Sequence, residues 1–275
     1  MNTIKRILCP VDFSSAAMNG VEYAAQLARD FSASLTLLYV RPSIWPEAIQ
    51  LEQEVAVGLE NIGERLRVFS GQVQTEFGIK CDNHIEQTTD TVEMAIASAA
   101  QQYDLIVMGT NGADDVYQYV FGSHSFHVIE EARCPVILVP DGCPFQPIKR
   151  IVYAHDPEAN PVFLIEQLKS LAFPLDAEVK VFHVFKEKRN AEMENKMKVV
   201  MEALKARETR HIRWSLDFQH ADDVTGAIDR YLRTNDANML ALSCHHKTWI
   251  EKLFKPDIVR DISMIADYPV LAFWN

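Results

Sequence analysis

A chain of 275 residues is long for one domain and fits two. Its 27 Lys and Arg against 38 Asp and Glu leave a formal net charge of -11. That balance excludes broad binding to nucleic acid or to an anionic membrane surface, both of which need basic patches, and it requires any bound phosphate to be held by local donors.

Ile4 to Val11 reads as a buried strand closed by Pro10 and Asp12. Ser14 is positioned to cap the helix that follows, because its hydroxyl can accept from an orphan backbone donor. Met18, Val21, Ala25 and Ala28 then recur at helical spacing. Ser34–Val40 is a second strand, ended by Arg41 and Pro42, and residues 46–69 carry a helical pattern that Gly58 and Gly63 weaken. Ile79 to Glu86 is a third strand, polar enough to lie near a sheet edge. Asp90 with Glu93 resembles a capping box, and Val92, Ala95, Ile96 and Ala99 form the stripe of a helix. The apolar run Leu105 to Met108 is a fourth strand that ends on Gly109. A short helix follows Gly122, and Pro135–Val139 is a fifth strand. Alternating strands and helices predict a mostly parallel sheet covered on both faces.

Residues 140–148, PDGCPFQPI, form a linker, after which the pattern restarts. RILCPVD at 6–12 returns as RIVYAHD at 150–156, and LTLLYVRP at 35–42 as VKVFHVFK at 179–186. DLIVMG at 104–109 returns as NMLALS at 238–243, and RCPVILV at 133–139 as DYPVLAF at 267–273. The recurrence in one order marks an internal duplication, with units at 1–140 and 149–275. Residues 186–210 are charge-rich, with Met193, Met197, Val200 and Leu204 on one face, as expected of an amphipathic covering helix.

The stretch 104–125 carries the chemistry. Gly109, Gly112, Gly122, Ser123, His124 and Ser125 lead from a buried strand into a helix. Glycines let backbone approach a phosphate, and free N–H groups at a helix start attract negative charge. In the second copy, Ser243 stands for Gly109, His246 for Gly112, Pro256 for Gly122 and Asp257 for Ser123. Proline has no N–H to donate, and an aspartate there repels phosphate, so the second copy is not expected to bind a nucleotide in the same manner.

The spacing Gly-x2-Gly-x9-Gly-Ser at 109–123, with the opening ILCPVDFS, resembles the universal stress protein family, here as two copies with the motif in the first alone. The resemblance implies an α/β fold: two tandem, doubly wound, parallel five-stranded sheets of Rossmann-like type. It implies binding of ATP or a related adenine nucleotide in the first copy. Pro10, Val11 and Asp12 would lie at the end of the first strand, with Asp12 on the ribose hydroxyls or adenine edge. Val40 would offer its backbone to adenine, and Met108, Gly109, Gly112, Gly122, Ser123, His124 and Ser125 would surround ribose and phosphates. It also implies that Val136–Val139 pairs with Val270–Phe273 within one chain; further pairing into a homodimer is left open. His124 departs from the usual small apolar residue and either contacts phosphate or crowds it. Asp114 and Asp115 either hold a Mg²⁺ bridging phosphates or face solvent, as short charge clusters usually do.

Other chemistries are weaker. Asp12, Ser123 and His124 lack the nucleophile elbow and geometry of a serine hydrolase, and no general base or arginine finger stands out for more than slow ATP hydrolysis. Cys244, His245 and His246, with His155 or His220, offer zinc-type donors, but their spacing is poor and polar replacement at a decayed site is the simpler reading; no metal ligand is assigned. Five cysteines form no CxxC pair. The basic N-terminus precedes an apolar run too short for a signal peptide, and no window approaches the roughly 20 apolar residues of a membrane span. A soluble, cytoplasmic stress-response protein, without catalytic residues, is the expectation.

Overall fold

A computed structural model describes residues 3–43, 52–110, 123–155, 161–186, 191–206, 212–244 and 267–274. In chain order the first half holds β1 (Arg6–Pro10), α1 (Ser15–Phe31), β2 (Ser34–Pro42), α2 (Glu52–Phe77), β3 (Cys81–Thr88), α3 (Val92–Ala99), β4 (Leu105–Thr110), α4 (Ser123–Glu131) and β5 (Val136–Pro140). The second holds β6 (Arg150–Ala154), α5 (Pro161–Ala172), β7 (Glu178–Phe185), α6 (Ala191–Ala206), β8 (Trp214–His220), α7 (Val224–Thr234), β9 (Met239–Cys244) and β10 (Val270–Trp274).

All ten strands form one sheet in the order β3-β2-β1-β4-β5-β10-β9-β6-β7-β8. Within each half every neighbouring pair is parallel. The two halves meet where β10 runs antiparallel to β5, with Leu271 opposite Ile137. The carboxyl ends of the strands therefore point in opposite directions in the two halves. The polar β3 lies at an edge, as its composition predicts.

Strand alternation sorts the side chains into two cores. Ile7, Leu37, Val107, Ile151, Val181, Ala241 and Leu271 meet α1, α2, α5 and α6 on one face. Leu8, Leu38, Ile106, Val152, Phe182, Leu240 and Ala272 meet α3, α4 and α7 on the other. Because β5 and β10 are hydrogen-bonded neighbours, the first core continues across the junction without a break. Val200, Ala203 and Leu204 of α6 are buried in it, so α6 is a covering helix over those residues; the side chains of Met193 and Met197 lie outside the described ones.

The duplication is repeated in local detail. The carboxylate of Asp104 accepts from the N–H groups of Lys5 and Arg6, each at 2.9 Å. At the matching place the side-chain Oδ1 of Asn238 accepts from the N–H groups of Lys149 at 2.9 Å and Arg150 at 3.0 Å. After α1, Ser32 takes a left-handed φ of 52°, and after α5, Asp176 takes 49°. The linker is tied to α1, since the side-chain amide of Asn19 donates to the carbonyls of Pro140 (2.8 Å) and Cys143 (3.2 Å) and the ring of Tyr23 meets Phe145.

Four local expectations are corrected. Gly58 and Gly63 do not interrupt α2, which runs unbroken to Phe77. The cap of α3 is Thr91, whose hydroxyl accepts from Met94 N–H at 3.3 Å, rather than a box made by Asp90; the N–H of Asp90 is instead engaged by Thr88 Oγ1. Met18 falls on the solvent side of α1 at 40 % exposure, whereas Val21, Ala25 and Ala28 are buried as expected. Finally, β4 does not stop at Met108 but continues through Gly109 and Thr110, which pair with Val139 and Pro140.

Candidate functional site

The carboxyl ends of β1, β2 and β4 bring the first-half residues together. β1 and β4 are adjacent in the sheet although three strands apart in sequence, so the crevice between their ends is the place where strand order reverses and where open parallel sheets bind ligands.

Asp12 lies exposed just past β1, and its Oδ1 accepts from the N–H (2.9 Å) and hydroxyl (2.6 Å) of Ser14. Ser14 in turn caps α1, its Oγ accepting from Ala17 N–H at 3.2 Å. These bonds use one carboxylate oxygen and leave Oδ2 without a partner among the described residues. Between them Phe13 adopts a φ of 66°, a left-handed conformation that costs a bulky residue of order 1–3 kcal/mol. Packing holds it there: its ring meets Tyr39 and Phe69 at centroid distances of 6.0 and 6.2 Å, and the Arg65 guanidinium lies 3.9 Å above it.

β2 outruns β1. The β1–β2 register ends at Pro10 opposite Leu38, while β2 remains paired with β3 as far as Pro42. The carbonyl of Leu38 accepts from Val11 N–H at 2.8 Å and so faces the β1 side. Backbone groups alternate along a strand, hence the N–H and C=O of Val40 also face that side, beyond the last residue of β1. A donor and an acceptor on an open strand edge, beside a carboxylate, can meet the hydrogen-bonding edge of a flat heterocycle and its attached hydroxyls.

Gly109 has a purpose the sequence did not disclose. A Cβ built there would lie 1.7 Å from Ala16 O and 2.3 Å from Ala16 C, and one at Gly20 would lie 2.5 Å from Gly109 N. The first turns of α1 therefore rest directly on the backbone of β4, and glycine at 109 is required by helix–strand packing whether or not phosphate approaches it. Of the remaining expected contacts, Val11 and Ser125 are buried and Pro10, Val40 and Met108 half-buried at the same end. Gly112, Gly122, Asp114 and Asp115 lie outside the described residues, as do the side chains of Ser123 and His124; the backbone of α4 begins at Ser123. Gly20, Phe13 and Arg65 escape a reading of the sequence. Only the repeat of small residues along α1 could have pointed to Gly20.

Polar side chains occupy the corresponding end of the second half. Tyr153, His155, His183 and Ser243 stand where Cys9, Val11, Tyr39 and Gly109 stand in the first, on the face shared with α5 and α6. Tyr153 Oη and Ser243 Oγ are 3.2 Å apart. His183 Nδ1 lies 2.9 Å from the carbonyl of His155, and the two imidazoles are T-shaped with centroids 5.7 Å apart. Burial, with His183 nearby, depresses the pKa of His155 to about 3, so its ring is neutral. The zinc-type set does not assemble among the described residues: Cys244 packs into the opposite core, and His220 Nε2 is 3.0 Å from the carbonyl of Lys186. His245, His246, Asp156, Pro256 and Asp257 lie outside the described residues. No helix among the described residues is long and apolar enough to cross a membrane.

Comparison with known proteins agrees with this geometry. Residues 3–140 match the model of the universal stress protein family. A universal stress protein of Methanocaldococcus jannaschii is 26% identical over 141 residues, covering 50% of this chain and 83% of its own. Among solved structures, a universal stress protein from Archaeoglobus fulgidus DSM 4304 superposes with a TM-score of 0.76 at 18% identity, covering 98% of both chains. A putative universal stress protein from Pseudomonas aeruginosa UCBPP-PA14 gives 0.56 at 15% identity over 98% of this chain and 93% of that one; at these identities both speak to fold alone. With the family model spanning residues 3–140 of the 275, the chain belongs to the universal stress protein family.

Proposed function

We infer that the first half binds one adenine nucleotide, ATP or a close relative, and that the protein acts in stress response through nucleotide-dependent shape or assembly. The observation that carries this reading is the open strand edge of Val40 at the same end as the Asp12 oxygen that has no partner among the described residues. Adenine would pair with the backbone of Val40, and the ribose hydroxyls would donate to Asp12 Oδ2. Phosphates would extend toward the start of α4, where backbone N–H groups favour negative charge.

Charge placement supports the same site. Lys5, Arg29 and Lys80 line a crevice at the opposite ends of the strands, and Arg67 is paired with Glu64 at 2.6 Å. Arg41, at the carboxyl end of β2, and Arg65, over Phe13, are cations of the first half at the nucleotide end. In a chain of net charge -11 they would offset part of the phosphate charge. Residues 1–140 would form the nucleotide-binding unit and 149–275 a pseudo-domain joined to it through β5 and β10, in a soluble protein of the cytoplasm.

Equilibrium binding of labelled ATP to the wild type and to Gly122→Asp tests the reading. Saturable binding that the substitution abolishes supports it; equal, weak binding by both proteins would leave a nucleotide-free interaction scaffold as the better account.

A further inference from the structure

We propose that the second half carries an acid-sensitive latch, formed by the buried imidazoles of His155 and His183 at the carboxyl ends of β6 and β7. The pair holds α5 and α6 down only while His155 is uncharged, so acid loosens these helices before the first half responds. The latch does not depend on nucleotide binding.

His155 is 4% exposed, and neither of its ring nitrogens has a hydrogen-bond partner. A neutral imidazole tolerates this at moderate cost, whereas a charged group buried without a partner is far more destabilising. The backbone of His155 is fixed in place. Its N–H donates to Phe182 O at 2.8 Å, and its carbonyl accepts from Nδ1 of His183 at 2.9 Å. Ile165 and Leu168 of α5, with Val200, Ala203 and Leu204 of α6, are buried on the same face of the sheet. Hydrating a charged ring means loosening that cover.

None of the described neighbours offers His155 a counter-charge. On β7 its neighbour is the second imidazole, His183, T-shaped to it with centroids 5.7 Å apart. On β6 the hydroxyl of Tyr153 lies 3.2 Å from Ser243 Oγ of β9, and on β8 Phe218 stands opposite His183. The charged side chains of the covering helices are engaged elsewhere. On α5 Glu166 pairs with Lys169 at 3.5 Å, on α6 Glu202 pairs with Lys198 at 4.0 Å, and both carboxylates are at least half exposed.

Burial, with His183 adding to it, holds the pKa of His155 at about 3, against 6.5 for an imidazole in water. The loosened state therefore binds a proton that the closed state refuses. The closed state keeps its full stability above about pH 6.5 and loses it as the pH falls from there toward about 3. Within that window each unit of pH shifts the balance about tenfold toward the loosened state. The first half has no such group among its described residues. Val11 and Tyr39 stand at the matching positions, and the side chains of His84 and His127 are more than half exposed, beside Glu86 and Glu130.

The test is amide hydrogen exchange of the full-length protein between about pH 6.5 and about pH 5, corrected for intrinsic exchange rates. His155→Phe, which keeps a ring and removes its basicity, is measured beside the wild type. The opening equilibrium of α5 and α6 should grow roughly 30-fold over this range, with a far smaller change in α1 and a far smaller change throughout the variant. No rise in α5 and α6, an equal rise in α1, or a rise that folded His155→Phe retains overturns the proposal. Should the variant fail to fold, imidazole NMR of the wild type decides. A ring still neutral at about pH 5, with α5 and α6 exchanging faster than α1, supports the latch; titration of every ring near about pH 6.5 in the folded protein overturns it.

Discussion

A methyl group at position 109 has no room, because the Ala16 carbonyl stands 1.7 Å from where it would go. Gly109→Ala must therefore push α1 off β4, and overpacking of this kind costs about 1–3 kcal/mol or more. Chemical denaturation should show that loss with no nucleotide present, which makes Gly109 a poor probe of binding. Asp12→Asn is a better one. The amide oxygen can keep the turn to Ser14, while the charge and the second acceptor are removed. We expect nearly unchanged stability and an ATP affinity lowered by about tenfold or more, since hydrogen bonds to charged groups are worth roughly 1.5–3 kcal/mol; calorimetric titration measures both proteins. The place of Asp12 just past the first strand was legible in the sequence, and the motif spacing singled out Gly109, though not its packing against α1. The Gly20–Gly109 contact and the stacking of Arg65 on Phe13 were not, because each joins residues far apart in the chain whose meeting depends on the finished packing.

Among the elements, α2 shows how tertiary contacts override local propensity. Gly58 and Gly63 weaken the helix pattern, yet Leu66 and Val73 are fully or nearly fully buried against the sheet and fix the helix in place. Gly71 of the same helix faces open space, with nothing within 4 Å of where an added methyl carbon would stand. Gly71→Ala should therefore raise stability by about 0.5–1 kcal/mol, read from the midpoint of urea unfolding at constant slope. Gly78, seven residues on, has a φ of 66° and its N–H bonds to Gln74 O; alanine there should destabilise instead. Most strands were plain from the apolar runs, but the polar β8 at Trp214–His220 was not read as a strand, and strand ends were not legible. The extension of β4 past Met108 follows from its pairing with β5, a partnership invisible to a local pattern, and the shift of the α3 cap to Thr91 depends on the hydroxyl bond to Met94 N–H.

At the scale of the whole molecule, the duplicated halves share one sheet, and the core on each face runs across β5 and β10. Leu271, fully buried opposite Ile137, sits at that seam. Leu271→Ala should cost about 2–5 kcal/mol and, because the core crosses the seam, should lower the unfolding midpoint reported by both halves in hydrogen exchange. The duplication itself was readable from four segments recurring in order. The fate of the second copy was readable only in part: the loss of its glycines was evident, but the meeting of His155 with His183 required the register of β6 with β7. The two ends have thus diverged, an open strand edge with a carboxylate in one half and a buried pair of imidazoles in the other. Counting nucleotides per chain tests this asymmetry most directly. Native mass spectrometry of the full chain should find one nucleotide bound at saturating ATP and, with ATP near the wild-type dissociation constant, far lower occupancy of Asp12→Asn than of the wild type; two nucleotides per chain at saturation, or equal occupancy of the variant, would contradict the account.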